Sequence, residues 1–330
     1  MEIDNLFVVE SPLQALVALE LAESFRGKKN GIYYRLCGQG REYNDAQIKN
    51  VVDMGEWCFK HEVIFDHSGS FSHHQSVRKF VLLESNKFKK IDRMFFGEFR
   101  SHWMHVFRMA MPAKSYVLLD DGAATLSAKY NFIDKKIYFP ANYFYSSSNI
   151  VKSIVKKAYY NLHYGSTYAE DKKYCPVGFA SAFIAEGVEY KVDFSSLRKR
   201  FLKPCSEPSS SAKKAYFFGS KYSEAGIISF DSELDLVRRA VDYHKGIGLS
   251  TVYCSHRDES RQKLDCIHSL GCEEVVLPDV PAELFLLERH EEVAMISAAY
   301  SSVINNMKLI FPEKTINSFV LKESGISKKH

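Results

Sequence analysis

Several short clusters of side chains in this sequence could do chemistry. Asp120-Asp121-Gly122 follows directly on the apolar run 116–119. A carboxylate there can take a proton from a hydroxyl as a general base; the same residues also suit a helix cap and a turn. Ser255-His256-Arg257 follows the run 251–254. Histidine titrates near neutrality, so His256 can serve a leaving group as general acid; a surface histidine beside a helix start is the alternative. Ser301-Ser302 offers two hydroxyls at an expected helix start, which suits a monoanionic phosphate and equally an N-cap. Glu283 lies in the first turn of a proline-led helix. It could accept hydrogen bonds from a ribose diol or simply favour the helix dipole. Gly219-Ser220 could present backbone amides. Ser11 and Gln14, and Arg100 in the Gly97–Ser101 turn, follow two further apolar runs. Arg100 could clamp a carboxylate with two parallel bonds, or lie on the surface.

Each cluster ends or closely follows a stretch that reads as a strand, and helical patterns separate these stretches. Residues 6–10, 32–37, 63–65, 93–97 and 116–119 read as strands of a first half, and 215–218, 251–254 and 274–277 as strands of a second, with 295–297 a further strand or a helix lead-in. Strand–helix alternation predicts mostly parallel sheets with right-handed crossovers. Open α/β sheets bind ligands at the carboxyl ends of their strands, where these clusters sit. The rhythm fails from about Ser146. Lys152, Lys156 and Lys157 mark a basic helix over 150–160, followed by a polar stretch ending in a linker-like Glu207-Pro208-Ser209-Ser210-Ser211. The expected organisation is an N-terminal Rossmann-like domain over 1–160, an irregular connection over 161–214, and a C-terminal Rossmann-like domain over 215–330. The last helix could pack back on the first domain. The fold class is α/β, two Rossmann-like domains facing each other across a cleft, which fits several enzyme classes and two-lobed binding proteins.

A net charge of +4 is too small to argue for nucleic acid, but suits an anionic substrate or membrane surface. The seven cysteines form no CxxC pair, so reduced thiols are expected, neither a disulfide framework nor a zinc site. His73-His74 and His102/His105 lack acidic or thiol partners at metal-binding offsets, and no metal is expected. GxGxxG, GxxxxGK[ST] and GxSxG are all absent, which disfavours dinucleotide, P-loop and α/β-hydrolase chemistry. The acidic N-terminus runs straight into a strand, with no signal peptide or bilayer-length apolar run. A cytoplasmic protein is expected, with contact at the inner membrane as a further expectation from the basic helix and Lys328-Lys329.

Taken in order, Val9-Glu10-Ser11-Pro12-Leu13-Gln14, Asp120-Asp121-Gly122, Ser255-His256 and Ser301-Ser302 resemble the bacterial sialyltransferases of GT-B fold. The resemblance extends to the lipooligosaccharide sialyltransferases (glycosyltransferase family 52) and the bacterial polysialyltransferases. It implies an inverting, metal-independent transfer of a nonulosonic acid from its CMP donor to a bacterial surface glycan such as lipooligosaccharide or capsule. The sugar would be sialic acid or a relative such as legionaminic or pseudaminic acid. The resemblance makes Asp121 the base and leaves Asp120 supporting the turn. His256 would meet the leaving phosphate, with Ser301 and Ser302 holding it and Glu283 on the ribose. Gly219, Ser220 and Arg257 join the donor side; Ser11, Gln14, Arg100, Asp120 and Glu224 are candidates for contact with the acceptor or the donor carboxylate. Two departures stand out. Arg257 replaces the proline of the family's His-Pro motif. No Asp follows Gly219-Ser220, the position that carries the base in some family 52 members, so Glu224 is a second candidate. No cofactor is implied. The partners would be the CMP donor, a glycan or glycolipid acceptor and an anionic membrane. Two other readings fit the same elements: a UDP- or GDP-sugar transferase or epimerase, and a non-enzymatic ligand-binding protein.

Overall fold

The computed structural model describes residues 1–38, 40–65, 71–98, 101–121, 178–182, 187–202, 213–299 and 303–320, with isolated positions between 125 and 158. The chain divides into two compact units, Met1–Val192 and Asp193–His330.

Unit 1 carries β1 (Glu2–Val9), β2 (Asn30–Leu36), β3 (Phe59–Ile64), β4 (Lys90–Phe96), β5 (Ala113–Leu119), β6 (Gly178–Ser181) and β7 (Tyr190–Lys191). They pair in the order β3-β2-β1-β4-β5-β6-β7, every pair parallel. Helices α1 (Pro12–Ser24), α2 (Glu42–Asp53), α3 (Phe71–Ser85) and α4 (His102–Ala110) link the first five strands. Leu6, Phe7, Val8 and Val9 are all buried, because β1 is covered on both faces. Phe7 stacks on Phe95 of β4 at 4.7 Å between centroids. Side chains alternate along a strand, so Leu6 and Val8 face the other way, into a core shared with Tyr33, Met94 and Phe107. The Tyr33 hydroxyl donates to Glu84 at 2.6 Å, which satisfies both buried groups. Ser11 is extended and its Oγ accepts from the Gln14 N–H, so α1 starts at Pro12 with the N-cap its sequence advertises. Strand order reverses between β1 and β4, which opens a crevice at their carboxyl ends.

Unit 2 carries α5 (Ser195–Phe201), β8 (Lys214–Phe218), α6 (Phe230–Gly246), β9 (Ser250–Cys254), α7 (Arg261–His268), β10 (Glu274–Val276), α8 (Ala282–Glu288), β11 (Val293–Ala298), α9 (Val303–Ile310) and β12 (Thr315–Ser318). Its parallel sheet runs β10-β9-β8-β11-β12. The reversal here falls between β8 and β11, so the turn after β8 and the carboxyl end of β11 flank the corresponding crevice. His244 of α6 is buried against Thr251 Oγ1 (2.9 Å) and Ser297 Oγ (3.0 Å), and burial lowers its pKa to about 4. It therefore sits neutral, as a polar tie between helix and sheet.

Within 161–214, read from sequence as irregular, lie β6, β7 and α5. Gly178-Phe179-Ala180-Ser181 has neither length nor β-branched side chains and becomes a strand by pairing with β5. The last described helix, α9, packs on β11 and β12 of its own unit. The Pro/Ser run at 207–211, most of the basic helix, and Lys328-Lys329 lie outside the described residues.

Candidate active site

In unit 1 the turns after β1, β4 and β5 bring Ser11, Gln14, Glu98 and Asp121 together. Ser11 Oγ donates to Asp121 Oδ1 at 3.2 Å. Gln14 is buried; its Oε1 accepts from the Glu10 N–H at 2.8 Å, so its amide N–H₂ is the end that serves Asp121. Gly97 permits this approach: a Cβ there would lie 2.1 Å from Gln14 Oε1. The Asp121 N–H donates to Thr125 Oγ1 at 2.7 Å. Burial first, and then a hydrogen bond and repulsion from Glu98, push Asp121 up to about 7, against the pull of Gln14 and Ser11. Two carboxyls in hydrogen-bonding contact must share a proton. That tunes Asp121 to accept one near neutrality, where a base works best.

Asp120 does different work. It is fully buried, with Oδ1 accepting from Ser181 Oγ (2.6 Å) and Oδ2 from the Ala182 N–H (2.5 Å). Burial raises its pKa to about 6, against the hydrogen bonds from Ser181, Ala182 and Thr125. It ties the end of β5 to the end of β6 and so fixes the turn that carries Asp121.

In unit 2 the loop after β9 is built around Glu259 and Lys263. Glu259 accepts from the Tyr253 hydroxyl (2.7 Å) and the His256 N–H (2.6 Å). The Asp258 N–H donates to His256 Nδ1 at 3.1 Å, which leaves the proton of the neutral ring on Nε2. Burial and then Arg257 lower the His256 pKa. The sequence reading made His256 a general acid because histidine titrates near neutrality; in the free protein the ring is instead a neutral hydrogen-bond donor through Nε2. Arg257 is half-buried in the same loop.

Two sequence expectations change in this loop. Gly219 was read as a free backbone-amide site, but its N–H continues the ladder to Cys254 O at 2.9 Å, and the Ser220 carbonyl accepts from Lys263 Nζ at 2.7 Å. Gly219 is needed for closeness, since a Cβ would meet the Tyr253 hydroxyl at 2.1 Å. Glu224, the second base candidate, accepts from the Ser260 N–H (3.0 Å) and Lys263 Nζ (3.2 Å). Burial opposes its charge, but the Ser260 amide and Lys263 outweigh that and hold its pKa down. It is committed to the scaffold. Glu283 is buried beside Asn306 of α9, whose Nδ2 donates to it at 2.7 Å; burial raises its pKa.

No known family profile and no curated protein matches the chain. Solved structures do. The Staphylococcus aureus MnaA–UDP complex superposes with a TM-score of 0.52 at 11% identity, over 99% of this chain and 81% of that one. A UDP-N-acetylglucosamine 2-epimerase gives 0.49 at 9%, over 98% and 85%. A Photobacterium 2,6-sialyltransferase, solved with CMP and lactose, gives 0.47 at 12%, over 96% and 71%. The chain has a GT-B-like α/β fold.

Of the GT-B site residues expected from sequence, Ser11, Gln14, Asp120 and Asp121 meet at one sheet edge in unit 1. Gly219, Ser220, Glu224, His256 and Arg257 gather on the turns after β8 and β9 in unit 2, and Glu283 stands on α8. Arg100, Ser301 and Ser302 lie outside the described residues; the serine pair follows β11 in sequence. Sequence reasoning missed Glu98 and Lys263. Glu98 stood in a turn already singled out, but nothing marked it as the partner of Asp121. Glu259 and Lys263 have helical i,i+4 spacing, which ordinarily signals an exposed pair; here Lys263 is 0% exposed.

Proposed function

We propose that the chain is an inverting glycosyltransferase that moves a nonulosonic acid from its CMP donor to a glycan hydroxyl without a metal ion. The observation that carries this reading is the place of Asp121 at the carboxyl end of β5, where Ser11 donates to it at 3.2 Å and burial and Glu98 raise its pKa. Asp121 takes the proton of the acceptor hydroxyl. The acceptor oxygen then attacks the anomeric carbon, the bond to the phosphate oxygen breaks, and CMP leaves with the electron pair. A CMP leaving group carries one phosphate, so hydrogen-bond donors suffice to hold its charge. His256 Nε2–H supplies one, and Ser301 and Ser302 are assigned the others by their place after β11. Preorganised donors aimed at developing charge are each worth about 10²–10³-fold in rate.

The test is release of CMP from CMP-activated nonulosonates, with and without a glycan acceptor, in excess EDTA. The wild-type protein should release CMP under these conditions. His256→Ala should lower the rate by about 10²–10³-fold with an unchanged melting temperature. Complete loss in EDTA, or unchanged release by His256→Ala, contradicts the reading.

A further inference from the structure

Lys221 stands directly past Gly219-Ser220 on the turn after β8, one of the two strands between which the order of this sheet reverses. The turn is fixed on both sides of it. Lys263 Nζ donates to the Ser220 carbonyl at 2.7 Å, Tyr222 is buried, and the Ser223 N–H donates to Glu233 at 2.8 Å. Lys221 itself is exposed, and its Nζ donates to Asp258 Oδ2 at 2.6 Å. Asp258 in turn meets His256: its N–H donates to Nδ1 at 3.1 Å, and its Oδ2 lies 4.0 Å from the same nitrogen. One carboxylate therefore separates the Lys221 ammonium from the His256 ring, all of it within unit 2. The same nearness shows in the pKa of His256, which burial and Arg257 lower most and Lys221 lowers further.

An exposed lysine–aspartate pair adds little to stability, so this ammonium is available to a substrate. The charge of the donor gives it a task. A CMP-nonulosonate carries two anionic groups on one atom, since the phosphate and the sugar's own carboxylate are both attached to the anomeric carbon. On the function proposed above, His256 meets the phosphate as a neutral hydrogen-bond donor, which leaves charge to be matched. Two cations act on the ring, Arg257 from its own loop and Lys221 from the turn after β8. An ammonium has three N–H groups. Asp258 takes one, which leaves two for an incoming anion without breaking the pair.

We propose that Lys221 binds the carboxylate of the donor sugar and so makes the site selective for an acidic sugar over a neutral one. This inference rests on the CMP-nonulosonate reading above. Asp258 holds the ammonium beside His256 before the donor arrives. A sugar without the carboxylate leaves the lysine unmatched, so Lys221 separates nonulosonates from neutral sugars, not one nucleotide from another.

The experiment is isothermal titration of the full chain with CMP and with the 3-fluoro analogue of CMP-N-acetylneuraminate, whose fluorine slows the loss of CMP. Both ligands carry a charge of about −2 near pH 7.5, so a long-range field effect moves both alike. Lys221→Met should weaken binding of the donor analogue by about tenfold or more and change that of CMP by less than about twofold, with an unchanged melting temperature. Lys221→Arg, which keeps the charge, should retain most of the affinity for the analogue. Equal weakening of both ligands would assign Lys221 to the phosphate, and no weakening of the analogue would make it an ordinary surface residue. Either result overturns the inference while the proposed function stands. No binding of either ligand by the wild-type protein removes the proposed function and the inference with it.

Discussion

Asp121→Asn should lower turnover by about 10²–10⁴-fold and, above about pH 7, raise the melting temperature of the same protein. Both effects have one cause. Burial, together with Glu98, makes the ionised form of Asp121 costly, so the folded unit holds a proton that the unfolded chain releases. A group raised in this way contributes stability that is complete below its unfolded value of 3.8 and is lost as pH climbs through about 7. Asp120, raised to about 6 by burial, adds to the same loss over a slightly lower window. Asparagine keeps the shape and replaces the shared proton with an N–H that can donate to Glu98. Asp121 shares its proton with Glu98, so the gain belongs to the pair: on the order of a few kcal/mol at pH 8 and small at pH 4. Differential scanning calorimetry at the two pH values measures it. Wild-type kcat/KM should rise with pH through a midpoint near 7, and the variant's residual activity should lack that rise. A variant with near-normal turnover removes Asp121 as the base. A variant with lower stability at pH 8 shows that its charge is not strained.

Lys263→Met should destabilise the protein by about 3–5 kcal/mol, the cost of stripping a buried ion cluster of one partner. Lys263 Nζ touches Glu233 Oε1 (2.5 Å), Glu259 Oε1 (2.7 Å), Glu224 Oε2 (3.2 Å) and the Ser220 carbonyl (2.7 Å). Burial works against the ammonium, but Glu259 and Glu233 outweigh it and raise its pKa. Without that charge, three carboxylates face one another at low exposure. The loss should therefore be greatest near neutrality and shrink in acid, where the carboxylates neutralise. Urea denaturation at pH 7 and pH 5 measures it, and hydrogen exchange should show the turn after β8 and the 255–260 loop opening first. A change below 1 kcal/mol would mean that the cluster is already solvated. Through Glu259 the same cluster holds the His256 backbone, so lost stability and loss of the proposed role of His256 should travel together.

How much of this was legible beforehand depends on the range of the interaction. The N-cap at Ser11, Pro12 at the first helical position, and strands such as 6–9 declare themselves through neighbours in sequence. The place of Asp121 just past the end of β5 was legible too, because a carboxylate after a buried strand is conspicuous wherever the strand pairs. β6 was not: four small or aromatic residues carry no period, and only β5 beside them makes them a strand. Glu98 and Lys263 were illegible for the same reason. Their roles are set by partners from other turns, and the Glu259–Lys263 spacing looks like a solvent-facing pair until the sheet buries it. The free-amide reading of Gly219 failed because a glycine after a strand does not reveal whether the ladder continues one residue further.

The most direct test of the central claim is the thermal stability of the protein with CMP, UDP and GDP in turn. A ligand that binds only the folded state adds about 2.7 kcal/mol at a hundred times its dissociation constant, enough to read in a melting curve. The account predicts a clear upward shift with CMP and little with UDP or GDP at the same concentration, reduced in His256→Ala. A shift led by UDP or GDP would contradict it and assign the fold to a diphosphate donor. The absence of any nucleotide shift would remove the nucleotide-sugar reading itself.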